Sequence, residues 1–154
     1  MRSKAKNIKA GVKAFSKNME KMMLDYLIIT QDDSYLVALV NLLQKYGQSS
    51  FLIEGDVSGA TKNWLKRCPD CVIFDCCLVE DFTSFCENFS HHTYFVPHAL
   101  RRDCKEAINF INSRRTIYYL YDPLDDKQIS AMLHSLNKRL GRYDEVRSML
   151  NGLS

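Results

Sequence analysis

From residue 25 onward, short apolar runs alternate with longer segments in which apolar residues recur at helical spacing. The runs are too short for buried helices and are rich in β-branched and aromatic residues, as buried strands are. They occupy residues 25–30, 51–53, 71–74, 93–96 and 116–121. The alternation therefore predicts five strand–helix units in succession.

The helical segments between and after these runs carry apolar residues at i, i+3 and i+4, which defines one buried face on each. They lie at Leu36 to Leu43, residues 60–67, Phe82 to Phe89, Cys104 to Ile111 and Ile129 to Leu140, the last opened by Asp125 or Asp126. Strands that are apolar throughout need helices on both faces. The pattern predicts a flavodoxin-like three-layer α/β/α sandwich around a five-stranded parallel sheet in the order 2-1-3-4-5.

Two further segments flank this predicted domain of residues 25–140. Residues 1–24 form a basic amphipathic helix in this interpretation, and residues 141–154 form a C-terminal helix or the start of a linker. One stripe of the N-terminal helix is apolar and a second stripe is basic. The apolar stripe contains Ile8, Val12, Phe15, Met19 and Met22, and the basic stripe contains Lys9, Lys13, Lys17 and Lys21.

Charge is distributed unevenly between these parts. Residues 1–24 contain seven basic residues and one acidic residue, a net charge of +6, whereas the remainder carries −3. Contact with nucleic acid or anionic lipid is therefore expected only through the N-terminal lysine stripe, which is otherwise a solvated helix face. The apolar stripe needs a surface to cover it, and we expect that surface to be a second copy or a neighbouring domain.

Composition limits the class of protein. An apolar fraction of 46% and a charged fraction of 25% are typical of a folded globular chain. No apolar run reaches the roughly 18 residues of a membrane helix, and no secretory signal is recognisable. The six cysteines are then expected to be reduced thiols. These features predict a cytoplasmic protein without a membrane span.

Polar residues cluster where the predicted strands end, which is where ligands bind in open parallel sheets. Thr30, Gln31, Asp32 and Asp33 follow the first run, Asp75 follows the third, Pro97 and His98 follow the fourth, and Asp122 follows the fifth. These residues are the candidate site.

Two of these strand ends carry a resemblance to a known family. The stretch 69–78, with Pro69-Asp70, four apolar residues and Asp75, resembles the phospho-acceptor strand of bacterial response-regulator receiver domains. The stretch 119–124 is similar to the fifth-strand motif of that family, with Asp122 in the place of its lysine. The resemblance covers about residues 25–140 and implies that Asp75 occupies the phospho-acceptor position.

Other positions depart from the family pattern. Its acidic pair, which holds Mg²⁺, falls on Thr30 and Gln31, and its switch hydroxyl falls where this sequence has Pro97 and His98. Aspartate at position 122 would repel a phosphoryl group instead of neutralising it. The departures predict a pseudo-receiver with no bound metal. In the alternative, Asp32 and Asp33 hold Mg²⁺ beside Asp75.

The predicted function is a non-enzymatic signalling module of two-component type that works without phosphorylation or a cofactor. It would act by binding a protein partner or output domain, with homodimerisation expected. Its association surface would lie on the fourth and fifth predicted helices and on the fifth strand, with Tyr118, Tyr119 and Tyr121. The alternative is a working receiver that a histidine kinase phosphorylates on Asp75 with Mg²⁺.

Three other functional interpretations have weaker support from the sequence. Cys68 and Cys71 have the CxxC spacing of a redox pair or half a zinc site, but redox pairs open a helix after a strand. His91 and His92 could form a metal site with His98, although nothing indicates further ligands. A nucleotide- or flavin-binding module on the same fold would need a glycine-rich phosphate loop, which the sequence lacks.

Overall fold

The computed structural model describes residues 23–64, 68–99, 110 and 115–152. Five parallel strands form one sheet in the order β2-β1-β3-β4-β5, which confirms the predicted fold and strand order. The strands are β1 (Asp25–Ile29), β2 (Ser50–Glu54), β3 (Cys71–Asp75), β4 (Tyr94–Ala99) and β5 (Leu120–Tyr121).

The helices begin at polar caps. Those in the described part of the chain are α1 (Asp33–Lys45), α2 (Val57–Trp64), α3 (Phe82–Glu87) and α4 (Asp126–Gly152), with a 3₁₀ turn over Cys76–Leu78. Asp32 caps α1 by accepting the Tyr35 N–H, and Asp125 caps α4 by accepting the Gln128 N–H at 2.8 Å. The second helix begins before its predicted start at residue 60. Of the helix predicted at Cys104 to Ile111, only residue 110 lies among the described residues.

The sheet separates two apolar clusters, one on each face. Helices α1 and α4 cover the first cluster, which contains Ile28 and Ile73 of the sheet together with Leu39 and Ile129. The second cluster lies on the opposite face under α2 and α3 and is built largely of phenylalanine. Its rings are those of Phe74, Phe82, Phe85, Phe89, Phe95 and Phe110. This two-sided burial produces the three-layer arrangement.

Strand β2 departs from the expectation that every strand is covered on both faces. Leu52 and Ile53, which point to opposite faces, are 40% and 48% exposed. The strand lies at the edge of the sheet and pairs only with β1. Its outer side therefore has no neighbouring strand.

The fourth and fifth strands also differ from their prediction. Strand β4 continues through Pro97 and His98, which the sequence pattern places after the strand. Strand β5 is limited to Leu120–Tyr121, with an isolated bridge between Thr116 and Phe95. The Phe95 N–H donates to Arg115 O, so the backbone of Pro97, two residues later, faces the same side of β4. Because proline has no N–H, the pairing is interrupted between the bridge and β5.

Helix α4 is continuous from Asp126 to Gly152 and passes Gly141 without a break. Residues 141–152 are therefore helical, and they extend the preceding helix instead of starting a new one. Within the part of the chain that the structure describes, no helix is both long enough and apolar enough to cross a membrane.

Candidate functional site

The candidate site lies at the carboxyl ends of β1, β3 and β4. Asp75 is the last residue of β3 and is paired in register with His98 of β4. Thr30 follows the last residue of β1, the strand on the other side of β3. The parallel sheet thus places all three side chains around one carboxylate.

Both oxygens of the Asp75 carboxylate accept hydrogen bonds from buried neighbours. The Thr30 hydroxyl donates to Oδ2 at 2.7 Å, and His98 Nδ1 lies 3.1 Å from Oδ1. With Asp75 ionised, a carboxylate has only acceptor oxygens, so Nδ1 must carry the proton. Asp75 is 4% exposed and His98 is 1% exposed. The surrounding side chains therefore shield the Asp75 carboxylate from solvent.

Tyr35 closes the site from the side of helix α1. Its ring stacks on the His98 imidazole with centroids 3.5 Å apart and an interplanar angle of 17°. Burial raises the pKa of the Tyr35 hydroxyl, and the charge of Asp75 raises it further. Neither the Tyr35 hydroxyl nor His98 Nε2 has a hydrogen-bond partner among the described residues.

The remaining predicted residues lie outside this buried group. Gln31, Asp33 and Asp122 are exposed, and Pro97 is buried within β4. Asp32 is half-buried and caps α1, with its Oδ1 accepting the Tyr35 N–H at 3.0 Å. The structure therefore brings Thr30, Asp75 and His98 together and leaves the other polar candidates at the rim.

Solved structures share this fold over most of their length. The chain superposes on a receiver domain from Clostridium thermocellum with a TM-score of 0.62 and 19% identity, covering 75% of this chain and 96% of that one. A receiver domain from Methylobacillus flagellatus superposes with a TM-score of 0.57 and 17% identity, covering 74% of this chain and 98% of that one. The fold is that of a response-regulator receiver domain.

Other proteins with this receiver fold have different stated roles. One is the receiver domain of a sensor histidine kinase from Pseudomonas aeruginosa with a magnesium ion in its active site cleft, at a TM-score of 0.60, 14% identity and coverage of 75% and 98%. Another is the pilus assembly protein CpaE from Caulobacter crescentus. It superposes with a TM-score of 0.56 and 12% identity, covering 75% of this chain and 92% of that one. No family model and no curated protein matches the sequence.

Two carboxylates of the alternative magnesium site, Asp75 and Asp32, already accept hydrogen bonds from the protein. The ion needs near-octahedral oxygen ligands, including carboxylates that are free to coordinate it. Asp75 is bound by Thr30 and His98, and Asp32 is bound to the start of α1. Across residues 23–64, 68–99, 110 and 115–152, no three His, Cys, Asp or Glu side chains are grouped to hold a metal.

The tyrosines of the predicted association surface are half-buried. Tyr118 packs against the cluster under α1 and α4, while Tyr119 packs against the phenylalanine cluster on the other face. The Tyr119 and Tyr121 ring centroids are 6.1 Å apart. The pKa of Tyr118 is raised, mainly by burial. All three tyrosines thus keep partial exposure to solvent.

The other candidate motifs do not assemble into sites in the described residues. Cys68 is exposed and Cys71 is buried in β3, and both thiols are free. His91 and His92 are exposed in the turn before β4, whereas His98 is buried at its far end. Burial raises the pKa of Cys86 to about 11, so that thiol is a weak nucleophile near neutral pH.

Proposed function

We propose that this chain is a receiver-like signalling module in which Asp75 is not phosphorylated, and that it acts by binding another protein. One observation carries the proposal. Both Asp75 oxygens accept hydrogen bonds from side chains that are themselves buried. These bonds fix the orientation of the carboxylate, and with Asp75 only 4% exposed a phosphodonor has little access to either oxygen.

Electrostatics supports the same proposal. A phosphoryl group brings additional negative charge, which phosphotransfer sites neutralise with a metal ion or a basic side chain. Asp122 occupies the position of the family's lysine, and its side chain is acidic and exposed. Thr30 supplies a neutral hydroxyl where a metal site would need a carboxylate. The position of the family's lysine therefore offers no compensating positive charge.

The first test is direct phosphorylation. The protein is incubated with acetyl phosphate and Mg²⁺, and separately with beryllofluoride and Mg²⁺, and is followed by intact mass and amide spectra. We expect no adduct and no Mg²⁺-dependent spectral change. A receiver domain that autophosphorylates serves as the positive control in the same buffer. A stoichiometric adduct that disappears in Asp75→Asn would overturn the proposal and establish the working receiver instead.

The second test concerns association through Tyr118, Tyr119 and Tyr121. A module that needs no phosphate should bind its partner, or a second copy, constitutively. We expect Tyr119→Ala to weaken this association about tenfold, the usual loss for an aromatic residue at an interface centre. Sedimentation velocity measures self-association, and pulldown followed by titration measures partner binding. Val37→Ala, at an exposed position on α1, is the matched control. Equal affinities of the wild type and Tyr119→Ala would exclude this surface.

A further inference from the structure

We propose that residues 1–22 dock within the same chain on the exposed edge of the sheet at β2. The apolar stripe predicted for this segment would cover Leu52 and Ile53, and its lysines would face the acidic residues around that edge. The proposal concerns an interaction surface and is independent of the phosphorylation state of Asp75.

The edge is apolar as well as unpaired. Met23, Leu52 and Ile53 are three of the four large apolar side chains that the described residues expose, the fourth being Val37. A groove of about 610 Å³ lies at the start of β1 and β2, where Phe51 and Leu52 line it together with polar residues that include Asp25 and Ser50. Exposed apolar edge strands promote aggregation unless something covers them. A covering segment is therefore expected here.

The chain itself enters at this edge. The Ser49 hydroxyl, which precedes β2, lies 3.3 Å from the sulfur of Met23. The next residue, Leu24, donates its N–H to the Gln48 side chain at 3.2 Å. Met23 and Leu24 therefore lie beside the start of β2, so no long linker separates this strand from the segment that precedes Met23.

Charges on the two sides are complementary. Residues 1–22 contain seven basic residues and one acidic residue. Three acidic residues, Asp25, Glu54 and Asp56, lie at or next to the ends of β1 and β2 at this edge. Asp25 lies at the first position of β2's neighbour β1, and Asp56 follows the far end of β2. Acidic groups thus flank the apolar centre of the edge.

The length of strand β2 also agrees with that of a helix formed by the second half of the segment. Five residues of strand span about 17 Å. A helix from Val12 to Met22 would span roughly the same length at about 1.5 Å per residue. That part of the segment carries four of the five apolar stripe residues and three of the four stripe lysines. One face of such a helix can therefore contact the whole strand.

The experiment uses the full chain and a zero-length carbodiimide, which joins a lysine amine to a carboxylate only where the two are in contact. Peptide mass spectrometry locates the cross-links, and an equal mixture of ¹⁴N- and ¹⁵N-labelled chains separates links within a chain from links between chains. We expect links from Lys13, Lys17 or Lys21 to Asp25, Glu54 or Asp56, in peptides of a single isotope composition.

Substitutions then test the apolar contact. Leu52→Thr with Ile53→Thr places β-branched residues, which favour strands, at both positions but removes apolar surface, and should reduce these links about tenfold. Val37→Thr is the matched control and should leave them unchanged. Phe15→Ser makes the complementary change in the segment and should reduce the links to a similar extent. If the Leu52/Ile53 variant loses its cooperative thermal transition, Phe15→Ser decides alone.

Three results would overturn the proposal. The first is the absence of cross-links between residues 1–22 and the β2 edge. The second is cross-linking that neither the strand variant nor Phe15→Ser reduces. The third is cross-linking only in mixed-isotope pairs, which would make a second copy the occupant of the edge.

Discussion

Among single residues, His98 has the largest influence on the site. Its imidazole fills the position beside Asp75 at the end of β4, donates a hydrogen bond to the carboxylate and stacks on Tyr35. A buried carboxylate that loses one of its two donors incurs an uncompensated desolvation cost. His98 is therefore expected to stabilise the fold as well as to block access to Asp75.

His98→Ala should lower the free energy of unfolding by about 2–4 kcal/mol, because it removes a buried hydrogen bond and leaves a cavity under Tyr35. Urea denaturation followed by circular dichroism measures the change. His91→Ala, in the exposed turn before β4, should change stability by less than about 0.5 kcal/mol. An unchanged urea midpoint for His98→Ala would show that the bond to Asp75 contributes little.

The sequence indicates which residues meet at the site better than it indicates their contacts. Strand ends in a parallel sheet converge, so Thr30, Asp75 and His98 could be grouped before any coordinates were known. The contribution of Tyr35 could not, because it depends on the helix phase that Asp32 sets by capping α1. The orientations of Gln31 and Asp33 depend on the same loop and were likewise not predictable from residue type.

At the scale of secondary-structure elements, Arg115 joins several segments that meet beside β4. Its guanidinium donates to the carbonyl oxygens of Cys86 at 2.9 Å and Thr93 at 3.1 Å, and also to that of Ser90. The same group lies 4.8 Å from the Phe95 ring centroid. One planar cation thus binds the end of α3, the turn after it and the entry to β4.

Arg115→Lys should destabilise the protein by about 1–3 kcal/mol, because a single ammonium cannot donate to all these carbonyls with the geometry of a guanidinium. Arg139→Lys is the matched control, since Arg139 is exposed and lies 5.9 Å from the Tyr94 ring centroid. Chemical denaturation of both variants measures the difference. Equal losses in the two variants would contradict the role given to Arg115.

The elements show why some boundaries follow from sequence and others do not. Apolar periodicity located β1, β3 and α1 because all three depend on local pattern and burial. The interruption of β5 depends on which side of β4 the backbone of Pro97 faces, a property of the pairing and not of either strand alone. The exposure of Leu52 and Ile53 likewise depends on β2 lying at the sheet edge.

At the scale of the whole molecule, buried titratable groups link stability to pH. Burial raises the pKa of the Cys71 thiol and of the Tyr26 and Tyr35 hydroxyls, and raises that of Cys86 to about 11. The folded protein therefore keeps these protons at a pH where the unfolded chain releases them. The stabilisation is complete below the unfolded thiol pKa and is lost as pH rises toward the folded values.

We expect the free energy of unfolding to fall by about 2–4 kcal/mol between pH 8 and pH 10.5 in the presence of reductant. Urea titrations across this range measure the decrease. Cys71→Ala should make the pH slope shallower, by up to about 1.4 kcal/mol per pH unit, because one buried thiol no longer titrates. Cys68→Ala, at an exposed cysteine, should leave the slope unchanged. A pH-independent stability up to pH 10.5 would contradict the burial of these groups.

Helix α4 has a mechanical consequence for the molecule. Its 27 residues span about 40 Å, more than twice the roughly 17 Å of a five-residue strand in the sheet it packs on. The last 12 residues, from Gly141 to Gly152, account for about 18 Å of that length. An unbroken helix of this kind acts as a lever, so a tilt of about 10° where it contacts the sheet would displace its far end by about 3 Å.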